Sequence, residues 1–424
     1  MNKVLTLIYF SIMANFSINA QNWQNVNQGQ DTTVFSLFSK NDTMYAGGLF
    51  TPVVSYYSGS NWTDIGSGID GYVKTINSYN NQIIVGGLFD TISGSQYNNI
   101  AIWNGASWDS LASGLDGLVT DIIEDTLNNL LYVCGDFNMA GTSTANKVAV
   151  WDGTTWSAVG TGMDFQVNTL CFFNGELYAG GDFDSAGGTS AFHFAKWDGT
   201  NWSVVVSGAS LQVNDLVVFE NELYVAGKFS SIGGVAGKRI AKWDGADWFT
   251  VGSGTNKGFN NEVYALQIYN GMLYAAGRFT TNYTDTIGNV ARWNGTDWVK
   301  VTENYLNDRV YALGAMSNAI FVGGLFTNDG TTTLNYVGKM NEVLGQHENQ
   351  LKTTTLNLYP NPVKNELNIN ANQFIKSYQI YNVLGELITA SKVNSNRFII
   401  NTTALKPGFY LIKIGNEVYK FQKV

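Results

Sequence analysis

Histidine, cysteine and proline are scarce in this chain. Only two histidines, His193 and His347, stand among 424 residues, which removes most metal and general-base chemistry that relies on imidazole. Two cysteines, Cys134 and Cys171, cannot build a disulfide framework or a zinc cluster. They read as small interior residues, with a single disulfide between them as the alternative. Four prolines against 46 glycines, with 14% aromatics, suit a chain of many tight hairpins and argue against disorder.

Positive charge is short as well, and unevenly so. The net charge is −9, yet residues 350–424 hold nine Lys and Arg against three Glu, so that segment carries +6 and the remainder −15. An acidic main body argues against nucleic acid as a partner. Long apolar runs are missing beyond the first twenty residues. Those begin with Lys3, continue through an apolar run from Val4 to Met13 and end at Ala20 before a polar QNW. That pattern is a secretory signal peptide, too short and wrongly flanked for a membrane span. No transmembrane segment is expected after its removal.

What the chain does have is repetition. The stretch LYAGGDFDSAGGTSAFHFAKWDGTNW (177–202) has sister segments throughout: MYAGGLF, IIVGGLF, LYVCGDF, LYVAGKF, LYAAGRF and IFVGGLF repeat its first half, and AIWNGASW, AVWDGTTW, AKWDGADW and ARWNGTDW its second. A V-x-x-[L/I] run precedes each Gly-Gly strand, joined to it by a polar turn such as Asn174-Gly175, a hairpin signal. Each repeat therefore reads as four antiparallel strands, a to d. A period of about 40–50 residues with four strands predicts a propeller. The Asn-Gly or Asp-Gly turn between strands c and d tolerates positive φ, which lets the two flanking tryptophans face each other.

The irregular repeats decide how the ring closes. Repeat seven has Met340 where the others have tryptophan, and no strand d follows it; an orphan strand d, NWQNV (22–26), stands at the other end of the chain. The N-terminal strand is expected to complete the last blade and remove the open edge. The fold class read from the sequence is thus all-β: a seven-bladed β-propeller closed by an N-terminal strand (21–341), a polar linker (342–354) and a small C-terminal β-sandwich (355–424). Strands are expected in that last part at 367–369, 378–381, 397–400, 409–414 and 418–421.

These repeats resemble kelch-type propeller repeats, and still more the "GG-x-F … A-x-W-D-G-x-x-W" repeats of bacterial and fungal cell-surface propeller proteins. The resemblance implies a fold and leaves activity open. The C-terminal part resembles the type A sorting domain of type IX secretion cargo through LNLYPNPVKNELNI (356–369), YQIYNVLGELI (378–388), LKPGFYLIKI (405–414) and YKFQKV (419–424). Its marking residues are Tyr359, Pro360, Asn361, Pro362, Gly385, Pro407, Gly408 and Tyr410. That resemblance implies a bacterium of the Bacteroidota, passage through the periplasm, recognition by the type IX secretion machinery, and release or attachment at the outer-membrane surface. Asp-[Ser/Thr]-apolar triplets at Asp42, Asp90, Asp109, Asp125, Asp184 and Asp285 resemble the O-glycosylation signal of these bacteria.

The b–c loops differ most between repeats, and variable loops on a repeated frame are where binding usually sits. Tyr97, His193, Lys238, Arg239, Phe259 and Tyr283 are candidate ligand contacts on that face; solvated loop tips are the plainer reading. Three residues before each strand-a valine stand Asp31, Asp70, Asp116, Asp164, Ser210, Asn260 and Asn307. As a ring at a channel mouth the four aspartates could hold Ca2+; as turn residues they would instead bond to nearby backbone. No other cofactor is expected. The tryptophans read as blade packing rather than sugar platforms. No Ser/His/Asp set, Walker loop or paired catalytic carboxylate has supporting context, and a copper-radical oxidase would need histidines and a Tyr–Cys pair. The function expected is a secreted or surface-displayed module that binds a glycan, matrix component or protein without catalysis. The alternatives are an extracellular carbohydrate-active hydrolase or lyase using channel-mouth aspartates, and a structural surface protein with no dedicated ligand.

Overall fold

The structure is a computed structural model that describes residues 22–252, 257–341, 356–382, 387–414 and 417–424. The leader, the linker and Gly385 lie outside the described residues. The chain divides into two compact units, one ending at Glu342 and one starting at Val343.

In the first unit each V-x-x-[L/I] run becomes strand a of a four-stranded antiparallel sheet. The seven sheets, I to VII, start at Val34–Lys40, Tyr72–Tyr79, Leu118–Asp125, Val167–Phe173, Val213–Phe219, Val263–Tyr269 and Val310–Met316. In sheet IV the remaining strands are Glu176–Gly181, Phe194–Trp197 and Trp202–Val204, hydrogen-bonded in that order. The fourth strand of sheet VII is Gln24–Asn25, paired antiparallel with Val337–Asn341 in the register Gln24↔Lys339. Trp23 beside it is 2% exposed and packs among Val290, Leu306, Leu334 and Met340. The architecture is all-β and propeller-like.

The Gly-Gly pair has a steric origin. Opposite it, strand a carries a bulge between its valine and the residue two positions on, as at Val34/Ser36 and Val167/Thr169. A Cβ on Gly48 would stand 2.1 Å from the carbonyl oxygen of Thr33, and one on Gly47 would stand 2.6 Å from Val73 of sheet II. The second glycine thus admits the bulge and the first admits the next sheet. Core clusters accordingly straddle sheet boundaries. Val34, Leu37 and Met44 of sheet I pack with Ala312, Met316 and Phe321 of sheet VII.

The predicted aromatic hairpins form in register, with Trp103 opposite Trp108 and Trp197 opposite Trp202. Ring centroids lie 5.1–5.5 Å apart in six sheets, Tyr57–Trp62 included. Cys134 is buried and Cys171 partly so; both are free. Burial pushes both thiols up, that of Cys171 to about 12, which leaves them unreactive interior groups.

In the second unit five strands belong to one sheet: Leu356–Tyr359, Glu366–Asn382, Leu387–Asn401, Gly408–Ile414 and Glu417–Lys423. The segments 367–369 and 378–381, expected as separate strands, are one strand. Register shifts between Asn370 and Ser377 absorb the polar interruption that the sequence pattern suggested as a break. Leu367, Ile369, Ile380, Ile412 and Phe421 form its core.

Candidate functional site

The b–c loops are built on fixed anchors. The phenylalanine after each Gly-Gly-x, from Phe50 to Phe326, is 0–3% exposed and pins the loop from beneath. Above it the seven residues expected at a channel mouth act as caps. Oδ1 of Asp70 accepts from the amides of Asp90 and Thr91, Oδ1 of Asp116 from Asn138 and Met139, and Oδ1 of Asp164 from Asp184 and Ser185. Asp31 accepts from the Thr51 amide. Ser210, Asn260 and Asn307 make the same pair of bonds with a hydroxyl or amide oxygen. The partners lie about twenty residues downstream, so each cap ties the d–a loop to the b–c loop of its own sheet. Hydrogen bonds led by the Thr91 amide hold the Asp70 carboxyl below its ordinary range. At Asp164 partial burial pulls upward, and the amides and hydroxyl of Ser185 and Asp184 outweigh it. Among the described residues no group of three or more His, Cys, Asp or Glu could hold a metal ion.

The six expected ligand contacts take different roles. Phe259 is fully buried, its ring 4.1 Å from Phe279 and 5.0 Å from Trp298, so it belongs to the core and offers no contact surface. An apolar ring beside a glycine-rich loop reads as exposed in sequence, but the space under that loop needs filling. Tyr97 is half-buried and donates its hydroxyl to the Trp108 carbonyl. Arg239 turns inward, its Nη1 donating to the carbonyls of Lys228 and Phe229. Lys238 and Tyr283 come together from sheets V and VI, the ammonium 4.5 Å above the ring, and Tyr283 is 40% exposed.

An open cleft of about 490 Å³ separates the b–c loops of sheets IV and V, lined by Asp184, Phe192, His193, Ser207–Ser210 and Ser231–Gly234. It sits where the cap is Ser210 in place of the aspartate of sheets I to IV, a smaller side chain on the same bonds. The histidine occupies a left-handed position (φ 69°) that Asn99, Lys147 and Arg239 fill in sheets II, III and V. Asn99 bonds the Leu115 carbonyl and Lys147 pairs with Asp136, whereas Arg239 bonds Lys228 through Nη1 and leaves its buried Nε without a partner among the described residues. The buried Nδ1 of His193 has no hydrogen-bond partner among the described residues. Phe192 is 48% exposed at the cleft wall, and Leu211 and Val206 flank it at 46% and 58%. Reasoning from polar loop residues missed these three; a signal was present in their place next to Ser210 and His193.

Of the hydroxyls in the Asp-[Ser/Thr]-apolar triplets, those of Ser110, Thr126 and Thr286 belong to exposed residues, whereas that of Thr91 donates to Asp70. In the second unit the marking residues serve the last strand. Asn361 accepts from the Gln422 amide and donates to the Lys420 carbonyl, and Val363, next to Pro362, bonds to Gln422 and Val424. Tyr410 stacks on Phe421 and donates to the Lys406 carbonyl, which sets the Pro407-Gly408 turn. Tyr359 and Pro360 are exposed.

Residues 357–424 match the family model of the secretion system C-terminal sorting domain. This unit is the part of the chain that engages the type IX secretion machinery. None of the curated proteins matches the chain in sequence. Among solved structures the chain is similar to the WD40 β-propeller domain of Doa1, with TM-score 0.50 and 15% identity over 76% of this chain and 97% of that one. It is also similar to PorZ, a bacterial surface component of the type IX secretion system of Porphyromonas gingivalis, with TM-score 0.46 and 12% identity over 93% of this chain. The chain spans 60% of the length of PorZ. The Doa1 likeness speaks for fold alone. No described helix is long and apolar enough to cross a membrane.

Proposed function

We propose that this chain is a secreted or surface-displayed β-propeller that binds a glycan, matrix component or protein through its b–c loop face, without catalysis. Seven sheets close into one ring in this reading, and the pairing of Gln24–Asn25 with the last sheet supports it. The repeats are kelch-like, the source is a member of the Bacteroidota, and a leader over 1–20 carries the chain into the periplasm before type IX export. The propeller spans 21–341, the linker 342–354 and the sorting domain 355–424, whose long bent strands fold into a small sandwich.

The observation that carries the binding reading is the cleft between sheets IV and V. Anchored loops, an exposed phenylalanine and the His193 ring meet there, the usual composition of a small site. A hydrolase or lyase would need two carboxylates facing its substrate. Burial raises Asp121 to about 6 and Asp215 to about 7. Each, however, accepts its own next amide and an amide of the following sheet, Leu170 or Leu266, which supports a tethering role. The test is retention of the full chain on arrays of glycans and surface proteins, alongside an assay for new reducing ends or unsaturated products. Retention that Phe192→Ser weakens about tenfold, without turnover, is expected; turnover would establish the enzyme instead.

A further inference from the structure

One repeated position divides the inner wall of the ring in two. The residue after the strand-a valine is Phe35, Lys74, Thr120, Asn168, Asn214, Tyr264 and Tyr311 in sheets I to VII. In sheets III, IV and V its side chain is spent on the following sheet. Thr120 donates to the carbonyl of Val167, Asn168 to that of Val213 and Asn214 to that of Val263. In sheets VI, VII and I it is aromatic and makes no such tether. Those rings form a continuous arc: Tyr264 to Tyr311 at 5.2 Å, Tyr311 to Phe35 at 5.7 Å, and Phe35 to Tyr72 of sheet II at 5.7 Å. Lys74 ends the arc with its ammonium 5.0 Å from the Phe35 ring centroid.

All four rings are only partly buried, although sheets III to V show that a small polar side chain at this position holds neighbouring sheets together. The rings join neighbouring sheets by packing and still leave part of each surface open. Above the arc, at the b–c loop end, Leu49 and Leu88 stand 48% and 46% exposed. Two of the phenols are held by charged neighbours. Tyr264 donates to Glu262, and burial first, then that carboxylate, raises its pKa. Arg309 donates to the Tyr311 hydroxyl at 3.3 Å.

We infer that this arc is a binding wall for a neutral oligosaccharide that enters the axial opening from the b–c loop face. The inference rests on the chain's being a binding module and adds a site separate from the cleft between sheets IV and V, with its own ligand class. Pyranose rings present apolar C–H faces to aromatic rings and hydroxyls to groups such as Glu262, Arg309 and Lys74. An extended peptide would need free backbone groups on the inner strands. Several of those are already taken by neighbouring side chains: the Ile76 amide by Ser36, the Leu170 amide by Asp121, the Val213 carbonyl by Asn168. An anionic polymer would meet a chain of net charge −9.

The experiment titrates the full chain with neutral oligosaccharides of glucose, mannose, galactose and N-acetylglucosamine, with a heparin oligosaccharide and a proline-rich peptide as contrasting probes. The variants are Y264A/Y311A, Y311F and F192S, each with its melting temperature recorded. Expected is binding of at least one neutral oligosaccharide, weakened about tenfold or more in Y264A/Y311A, equivalent to about 1.4 kcal/mol. Y311F, which keeps the ring and the fold, retains affinity within about threefold. Neutral-glycan binding that survives Y264A/Y311A but falls in F192S overturns the arc and leaves the binding module standing. Binding of the heparin or peptide probe alone overturns the ligand class. Absence of any retained probe, with no hit on the surface-protein array, overturns both.

Discussion

In sheets I to IV the second aromatic of each hairpin donates its indole N–H to the preceding sheet: Trp62 to the Val26 carbonyl, Trp108 to Ile65, Trp156 to Leu111 and Trp202 to Val159. In sheets V and VI the matching nitrogens of Trp248 and Trp298 are buried without a partner among the described residues. Caps divide at the same place, aspartate in sheets I to IV and Ser210, Asn260 or Asn307 in sheets V to VII. The later sheets rely on apolar filling instead, with Phe259, Phe279 and Trp298 stacked together and Trp23 borrowed from the other end of the chain. At the hairpin indoles one backbone frame is thus held by a directional bond in sheets I to IV and by packing in sheets V and VI, while the caps bond the same amides throughout. The frame requires that each junction be filled and its buried groups satisfied, and it does not fix which chemistry does so.

If packing holds the later sheets, removing the borrowed ring costs most. Trp23→Ala takes a fully buried aromatic out of sheet VII and should destabilise the first unit by about 3–5 kcal/mol. Denaturant unfolding of the full chain, followed by intrinsic fluorescence, reads it. A loss below about 1 kcal/mol would mean that the N-terminal strand is dispensable and that the ring does not depend on it.

The indoles sharpen the comparison at smaller scale. Trp202 and Trp248 are equally buried, at 5% and 6% exposed, so Trp→Phe removes similar area at both and a hydrogen bond at only one. Trp202→Phe should cost about 1 kcal/mol more than Trp248→Phe, a difference of about 2 °C in Tm for a domain of this size. Equal losses would show that the Val159 bond contributes nothing net.

What could be read from the sequence follows the same division. Strand order, the paired tryptophans and the N-terminal partner of the last sheet follow from short-range pattern, because each repeat offers an independent copy of the same hairpin signals. The caps were legible as residue types, and their partners were not, since a bond spanning about twenty residues depends on where the b–c loop folds back. Phe259 was misjudged because burial under a loop leaves no periodic mark. The cleft required comparing Ser210 with its aspartate equivalents in three dimensions. In the second unit the apolar pattern separates 367–369 from 378–381, but register shifts carry one strand, Glu366–Asn382, through both.

The caps give the smallest effect and the one most specific to the division. The Asp70 and Asp164 carboxyls are held below their ordinary range in the folded chain. Their contribution is therefore present above the unfolded pKa, about 3.9, and is lost as pH falls through the lower folded value. Asn260 and Asn307 make the same bonds without a titrating group. Amide exchange of Thr91 and Ser185 should accordingly lose protection below about pH 4, while that of Thr281 and Asn328 stays level after correction for intrinsic rates. The expected difference is about fivefold at most, because both carboxyls are exposed and solvent screens their bonds. Asp70→Asn should abolish the acid sensitivity at Thr91 and leave neutral-pH protection nearly unchanged, because sheets VI and VII already use that amide in the same place. Equal acid sensitivity on both sides would mean that the loops open together and that the cap chemistry is incidental to their order.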